Sequence, residues 1–219
     1  IKNIVKKYGD NKKNIILNKI NFSFKRGKIY SLVGPSGSGK STLLNLISLI
    51  DKPTRGKIKI ENKDINFHNQ TINDKIRAKK IGIIYQEKNL LPDFTAIENV
   101  YLARLSIDNR KTKAIEDSKN IFKKVGLTNR VNHYPSELSG GEAQRVAISR
   151  ALINSPNIIL ADEPTGSLDR KTADEIFSLF LKLRSKKRAI LYATHNRDLS
   201  NRADYKLNIL NGNITKENE

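Results

Sequence analysis

The stretch IYSLVGPSGSGKSTLLNLI, residues 29–47, decides the fold. Ile29 to Val33 is a short apolar run suited to a buried strand, and Ser41 to Ile50 carries leucines and isoleucines around most of a helical circumference. Between them, GPSGSGKS at 34–41 fits the pattern G-x-x-x-x-G-K-[ST] without a gap. Gly34, Gly37 and Gly39 permit backbone angles and close approaches that side chains would block, so successive N–H groups can converge on phosphate oxygens. Lys40 supplies a mobile cation for the β- and γ-phosphates, Ser41 offers a hydroxyl to Mg²⁺, and Thr42 continues the cradle.

Outward from this loop, short apolar strands alternate with helical periods. Ile20, Phe22 and Phe24 alternate at period two, and Gly56 is expected to turn the chain into a strand over Lys57 to Ile60. Ile81 to Tyr85, Asn157 to Ala161 and Ala189 to Thr194 read as buried strands. Thr95 to Val125 is helical with Gly126 as its C-cap, and Ile176, Leu179, Phe180 and Leu183 mark a further helix. Asn211-Gly212 predicts a hairpin turn between Lys206 to Leu210 and Ile214. The pattern is that of an α/β fold. A mostly parallel sheet is covered on both faces, with an antiparallel β portion at the N-terminus and a helical insertion near residues 87–153.

Two further stretches carry chemistry. The apolar run Ile158 to Ala161 delivers Asp162 and Glu163 at its C-terminal tip, where ligands bind in open parallel sheets. There Asp162 suits the metal, and Glu163 is placed to accept a proton from an attacking water. In YPSELSGGEAQRVAISRAL, residues 134–152, Gly140 and Gly141 open a second helix whose N–H groups and dipole favour an anion.

Bulk composition narrows the class. The chain has 219 residues, 37% hydrophobic, enough for one domain with a real core. Its apolar runs reach four or five residues, far short of the roughly 20 that cross a bilayer. Absent cysteines and an absent signal peptide point to a cytosolic setting, and a start at Ile1 with no methionine points to a trimmed N-terminus. Lys and Arg total 41 against 22 Asp and Glu, giving +19, which raises nucleic acid, anionic membrane and polyphosphate as partners. The charge is spread along the chain, and its densest runs lack the interleaved aromatics of a base-stacking surface.

GPSGSGKST at 34–42, Gln86 after a strand, LSGGE at 138–142, ILADE at 159–163, SLD at 167–169 and His195 together resemble the ATP-binding-cassette ATPases in order and spacing, over essentially the whole chain. The resemblance implies a P-loop NTPase, RecA-like core at 1–86 and 154–219, and a helical subdomain at 87–153 bearing the signature motif, all within a single ATPase domain. It implies ATP and Mg²⁺ as ligands, with Gly34, Pro35, Ser36, Gly37, Ser38, Gly39, Lys40, Ser41 and Thr42 around the phosphates and Tyr8 stacking on adenine. Glu163, His195 and Gln86 are the implied catalytic residues, and Ser41, Gln86 and Asp162 the metal ligands. In this family two cassettes pair head to tail, so Ser139, Gly140, Gly141 and Glu142 would bind the partner's ATP, with Asp169 at the dimer interface.

Within the family, GIIYQEKNLLPDFTAIENV and ILADEPTGSLD look most like the group serving lipoprotein release, macrolide-type export and a cell-division complex. A short free-standing chain fits the lipoprotein-releasing members best, although Ala143 after LSGGE departs from the larger polar residue of many relatives. The implied partners are a second copy and integral membrane permease subunits, with the chain peripheral on the cytoplasmic face of the inner membrane. A cell-division-type ATPase shares every one of these residues. A nucleic-acid role is less expected: only 51 residues separate Gln86 from Leu138, leaving no room for a long coiled coil.

Overall fold

The computed structural model describes residues 1–9 and 15–217. Its chain order begins β1 (Lys2–Lys7), β2 (Ile15–Ile20), β3 (Ile29–Val33), α1 (Lys40–Ile47), β4 (Arg55–Lys57), β5 (Lys59–Ile60), β6 (Lys63–Asp64), α2 (Gln70–Lys80) and β7 (Ile81–Ile84). There follow α3 (Ala96–Leu105), α4 (Lys111–Val125), α5 (Gly140–Leu152), β8 (Ile158–Asp162), α6 (Arg170–Leu181), β9 (Ala189–Ala193), α7 (Arg197–Ser200), β10 (Tyr205–Leu210) and β11 (Asn213–Lys216).

The main sheet has the order β11-β10-β3-β9-β8-β7, parallel throughout except for the β10–β11 hairpin. A separate antiparallel sheet, β2-β1-β4, makes the N-terminal portion. Register decides where the chemistry lies. Leu32 pairs with Ala193, Asp162 with Ala193 and Ile84 with Ala161, so β3, β9, β8 and β7 end at one edge of the sheet.

Both faces are covered, as the near-continuous apolar strands require. One face packs α1, through Leu43, Leu44, Leu46 and Ile47, between the main sheet and the antiparallel sheet. On the other face α5 and α6 bury Ile148, Ala151, Ile176, Phe177 and Phe180 against Ile159, Ile190 and Tyr192. The Tyr192 ring meets Phe177 and Phe180 edge to face at 5.2 and 5.7 Å. The N-terminal half of α5 packs instead with α3 and α4, burying Val100, Phe122 and Val146 together. One helix therefore spans both cores.

The structure corrects several expectations. Gly56 does not turn the chain into a strand; it lies inside β4 at φ +99, where a Cβ would strike the Asn3 carbonyl on β1. The strand stops at Ile20, and Phe22 and Phe24 leave the sheet to pack on Tyr30 at 5.8 and 5.1 Å. Thr95–Val125 is two helices, the first capped by a reciprocal Thr95–Glu98 box, and Gly126 closes the second at φ +73 as expected. The Asn211-Gly212 hairpin forms as read, both residues at positive φ.

Candidate functional site

The loop 34–39 leaves β3 at the sheet edge and enters α1. Gly34 has φ +152 and Gly39 φ +105. A Cβ at Gly34 would meet the Ile209 carbonyl, and one at Gly39 would lie 2.8 Å from Leu17 Cδ2, so side chains at either point would fill the cradle or displace its walls. Gly39 caps α1 without a side-chain acceptor, and Lys40, Ser41 and Thr42 of the first turn line a cavity in front of it. Lys40 Nζ donates to the carbonyls of Gly34 and Pro35 at 2.8 and 2.9 Å.

Beside this loop is a cavity of about 460 Å³ lined by Tyr8, Ile16, Ser36, Gly37, Gly39, Lys40, Ser41, Thr42, Gln86, Asp162, Glu163 and His195. Residues from six separate segments thus meet in one place. Ser38 contributes a buried hydroxyl with no partner among the described residues. Tyr8, exposed at the end of β1, is steadied by its hydroxyl on Asp51 (3.2 Å) and by Lys6 Nζ 4.8 Å from the ring centroid.

Glu163 follows β8 at φ +45, a conformation L residues rarely adopt, and its N–H donates to the Ala193 carbonyl at 3.1 Å. The turn aims its carboxylate at the next strand, where Oε1 lies 2.9 Å from His195 Nδ1. Glu163 keeps only 14% of its side chain exposed, while His195 is 73% exposed. A buried acceptor and an open imidazole therefore face the same space.

No group of three His, Cys, Asp or Glu side chains is arranged for a metal among the described residues. One hydroxyl (Ser41) and one carboxylate (Asp162) on the cavity wall suit a hard cation that takes its remaining ligands from phosphate oxygens and water, as Mg²⁺ does.

The second glycine pair sits elsewhere. Ser139 caps α5 by accepting from the Glu142 N–H at 3.2 Å, and Glu142 accepts from the Ser139 N–H at 2.8 Å and from Arg130 Nε at 2.6 Å. Arg130 and the Ser139 N–H together pull the Glu142 carboxyl down to about 2. Gly140 and Gly141 abut the start of α6: a Cβ on Gly141 would lie 2.6 Å from Thr172 Cγ2. Asp169 caps α6 by accepting from the Thr172 N–H at 3.1 Å, which holds its carboxyl below the usual range. None of Ser139, Gly140, Gly141, Glu142 or Asp169 lines the cavity at Lys40.

Several contributors carry no sequence motif. Asn99, 1% exposed, accepts from the Leu91 N–H at 2.7 Å and donates to the Phe94 carbonyl at 2.9 Å, which shapes the loop after Gln86. Lys88 Nζ reaches Ser167 Oγ at 3.1 Å, and Arg150 donates to the carbonyls of Lys88 and Asn89. A polar residue inside an apolar helical period, as at Asn99 and Arg150, is the one signal that could have found two of them.

Comparison with known proteins accords with this geometry. Residues 17–166 match the family model described as ABC transporter. The lipoprotein-releasing system ATP-binding protein LolD of Rickettsia bellii (strain RML369-C) is 47% identical over 211 residues, covering 94% of this chain and 93% of that one. Its counterpart in Wigglesworthia glossinidia brevipalpis is 47% identical over 220 residues, covering 99% and 96%. The dimeric bacterial ABC transporter cassette MJ0796 superposes with a TM-score of 0.89 at 38% identity, covering 99% of this chain and 96% of that one. Its post-hydrolysis dimer bound to ADP and Pi gives 0.85. Matched by the family model over most of its length and by these relatives over nearly the whole of both chains, the chain belongs to the ABC transporter family of ATP-binding cassettes.

Proposed function

We propose that the chain is the ATP-hydrolysing subunit of a lipoprotein-releasing transporter, working as a head-to-tail homodimer on the cytoplasmic face of the inner membrane. The observation that carries the substrate is the 47% identity, over nearly the full length of both chains, to ATP-binding proteins of lipoprotein-releasing systems. The relatives' name, ATP-binding protein of a lipoprotein-releasing system, is what assigns the translocation path to permease subunits; no described helix is long and apolar enough to cross a membrane. The exposed loop at Leu91 and Phe94, ordered by Asn99 and next to a groove of about 590 Å³ that includes Tyr85, Asn89 and Arg150, is a suitable seat for them.

In this reading Tyr8 stacks on adenine, and the N–H groups of 36–42 with Lys40 hold the phosphates. Ser41, Asp162 and Gln86 would hold Mg²⁺, which would supply positive charge to offset the negative charge that develops on the phosphate oxygens as the bond breaks. Glu163 accepts the proton of the attacking water while His195, 2.9 Å from it, donates to the γ-phosphate. The Ser139 hydroxyl and the N–H groups of Gly140 and Gly141 meet the γ-phosphate on the partner's loop, and Glu142 keeps that cap formed. Asp169, at the head of α6, faces the partner. Loss of the γ-phosphate on hydrolysis removes the bridge, and the dimer reopens.

The test is release itself. Permease subunits that co-purify from detergent-solubilised membranes are reconstituted with the chain, and transfer of a labelled lipoprotein out of the vesicles is followed. ATP-dependent transfer supports the proposal; co-purification with a permease that moves no lipoprotein but drives export of a small molecule overturns the substrate.

A further inference from the structure

We propose that Arg150 is a positioning residue for Gln86, its guanidinium tying the loop that carries Gln86 to the far end of the signature helix. The proposal rests on the catalytic reading of Gln86. Arg150 lies on the last turn of α5 and donates from Nη1 to the Asn89 carbonyl at 2.6 Å and from Nη2 to the Lys88 carbonyl at 2.7 Å. These are short charge-assisted bonds, and among the described residues the guanidinium pairs with no carboxylate. A half-buried cation loses hydration, and here that loss is offset by loop backbone alone.

The fork closes a ring of contacts. From Ser139 to Arg150 is one uninterrupted helix, about 16 Å at 1.5 Å per residue. At its N-terminal end Gly141 abuts Thr172, and at its C-terminal end Arg150 holds the loop 88–89. Lys88 then crosses to Ser167, and Gln86 Nε2 lies 3.4 Å from the position a Cβ on Gly166 would take. Displacement of the signature end of α5 therefore reaches Gln86 by two routes that meet in the segment 163–172. A planar guanidinium donates to the two successive carbonyls from two nitrogens held in one rigid plane, which fixes the orientation of the loop as well as its distance; an ammonium can reach two carbonyls, as Lys40 does, but fixes no plane. The fork thus connects the half of the chain that meets the partner's nucleotide with the glutamine that serves its own.

The test is a double-mutant cycle on the full chain, reading turnover at saturating Mg²⁺ and ATP and KM for ATP. Arg150→Met, which keeps the stem and removes both bonds, should lower kcat by roughly tenfold to a hundredfold, since a small misplacement at the reacting centre suffices. KM should stay within about twofold, because the phosphate loop is untouched. Arg150→Lys should recover part of the turnover. If Arg150 acts through Gln86, Gln86→Ala with Arg150→Met should be no slower than Gln86→Ala alone. Losses that multiply overturn the proposal and leave the Gln86 reading standing. Gln86→Ala with wild-type turnover removes that reading and the proposal with it. Should Arg150→Met not fold, the cycle is run with Arg150→Lys, where multiplied losses or wild-type turnover overturn the proposal equally.

Discussion

Glu142→Gln isolates the charge that holds the signature loop in shape. The glutamine oxygen can still accept from the Ser139 N–H, so the substitution removes the ion pair to Arg130 and the charge at the helix N-terminus, and little else. In the folded chain the carboxyl titrates at about 2, against its ordinary value of 4.5. A depressed value means that the contribution is complete above pH 4.5 and is lost as pH falls toward 2. The full displacement would correspond to about 3 kcal/mol. Glu142 is 26% exposed and Arg130 44%, so solvent screening reduces this to about 1–2 kcal/mol. For a domain of this size that is about 2–8 °C of melting temperature at pH 7. Thermal melts of both proteins between pH 7 and pH 3.5 check it: the gap should be constant down to pH 5 and narrow below 4.5, as the carboxyl is protonated in the unfolded wild-type chain while it stays ionised in the folded one. A gap that is the same at pH 7 and pH 3.5 would refute the electrostatic account of this cap.

Three other perturbations address separate parts of the molecule. Glu163→Gln keeps the shape of the acceptor beside His195 but cannot take a proton, so it should accumulate an ATP-bound dimer on size-exclusion chromatography; a monomer under saturating ATP and Mg²⁺ would count against the shared site. Lys40→Ala removes the cation at the Gly34 and Pro35 carbonyls and should abolish hydrolysis, yet mixing it with Ser139→Arg chains should restore part of the activity through one intact composite site, if one site suffices for turnover. Gly82→Ala places a methyl against the Ala151 carbonyl and 3.0 Å from Pro156 Cγ, so differential melting should show a loss of about 1–3 kcal/mol, whereas an unchanged melting temperature would mean that α5 can withdraw from β7 at little cost.

What could be read from the sequence was what the chain encodes locally. The phosphate loop and the acidic tip at Asp162–Glu163 each lie within one strand and its following turn, and their residue types have few other uses. The helix α2 left no such trace. Its sequence QTINDKIRAKK sends only Ile76 against the core, too little for a period, and Ile72 is 52% exposed. It is held by the Asn69 cap, by three basic residues in its last turn, and by Arg77 donating to the Leu49 carbonyl at 2.8 Å, none of which has a period. Gly56 was misread because a glycine marks a turn and a close backbone approach alike; only pairing with β1 distinguishes them.

A further distinction separates the starts of α1 and α5. At α1 the cap is a glycine with no side chain to offer its first-turn N–H groups, and Gln86, Asp162, Glu163 and His195 at the ends of β7, β8 and β9 line the cavity there because the strands end in register. At α5 the cap is satisfied internally by Ser139 and Glu142, and the Glu142 carboxylate is already paired with Arg130. Such a terminus can complete a phosphate site but cannot build one. That asymmetry is the physical reason to look for its ligand on a second copy of the chain, and for a helix that carries a contact at each end.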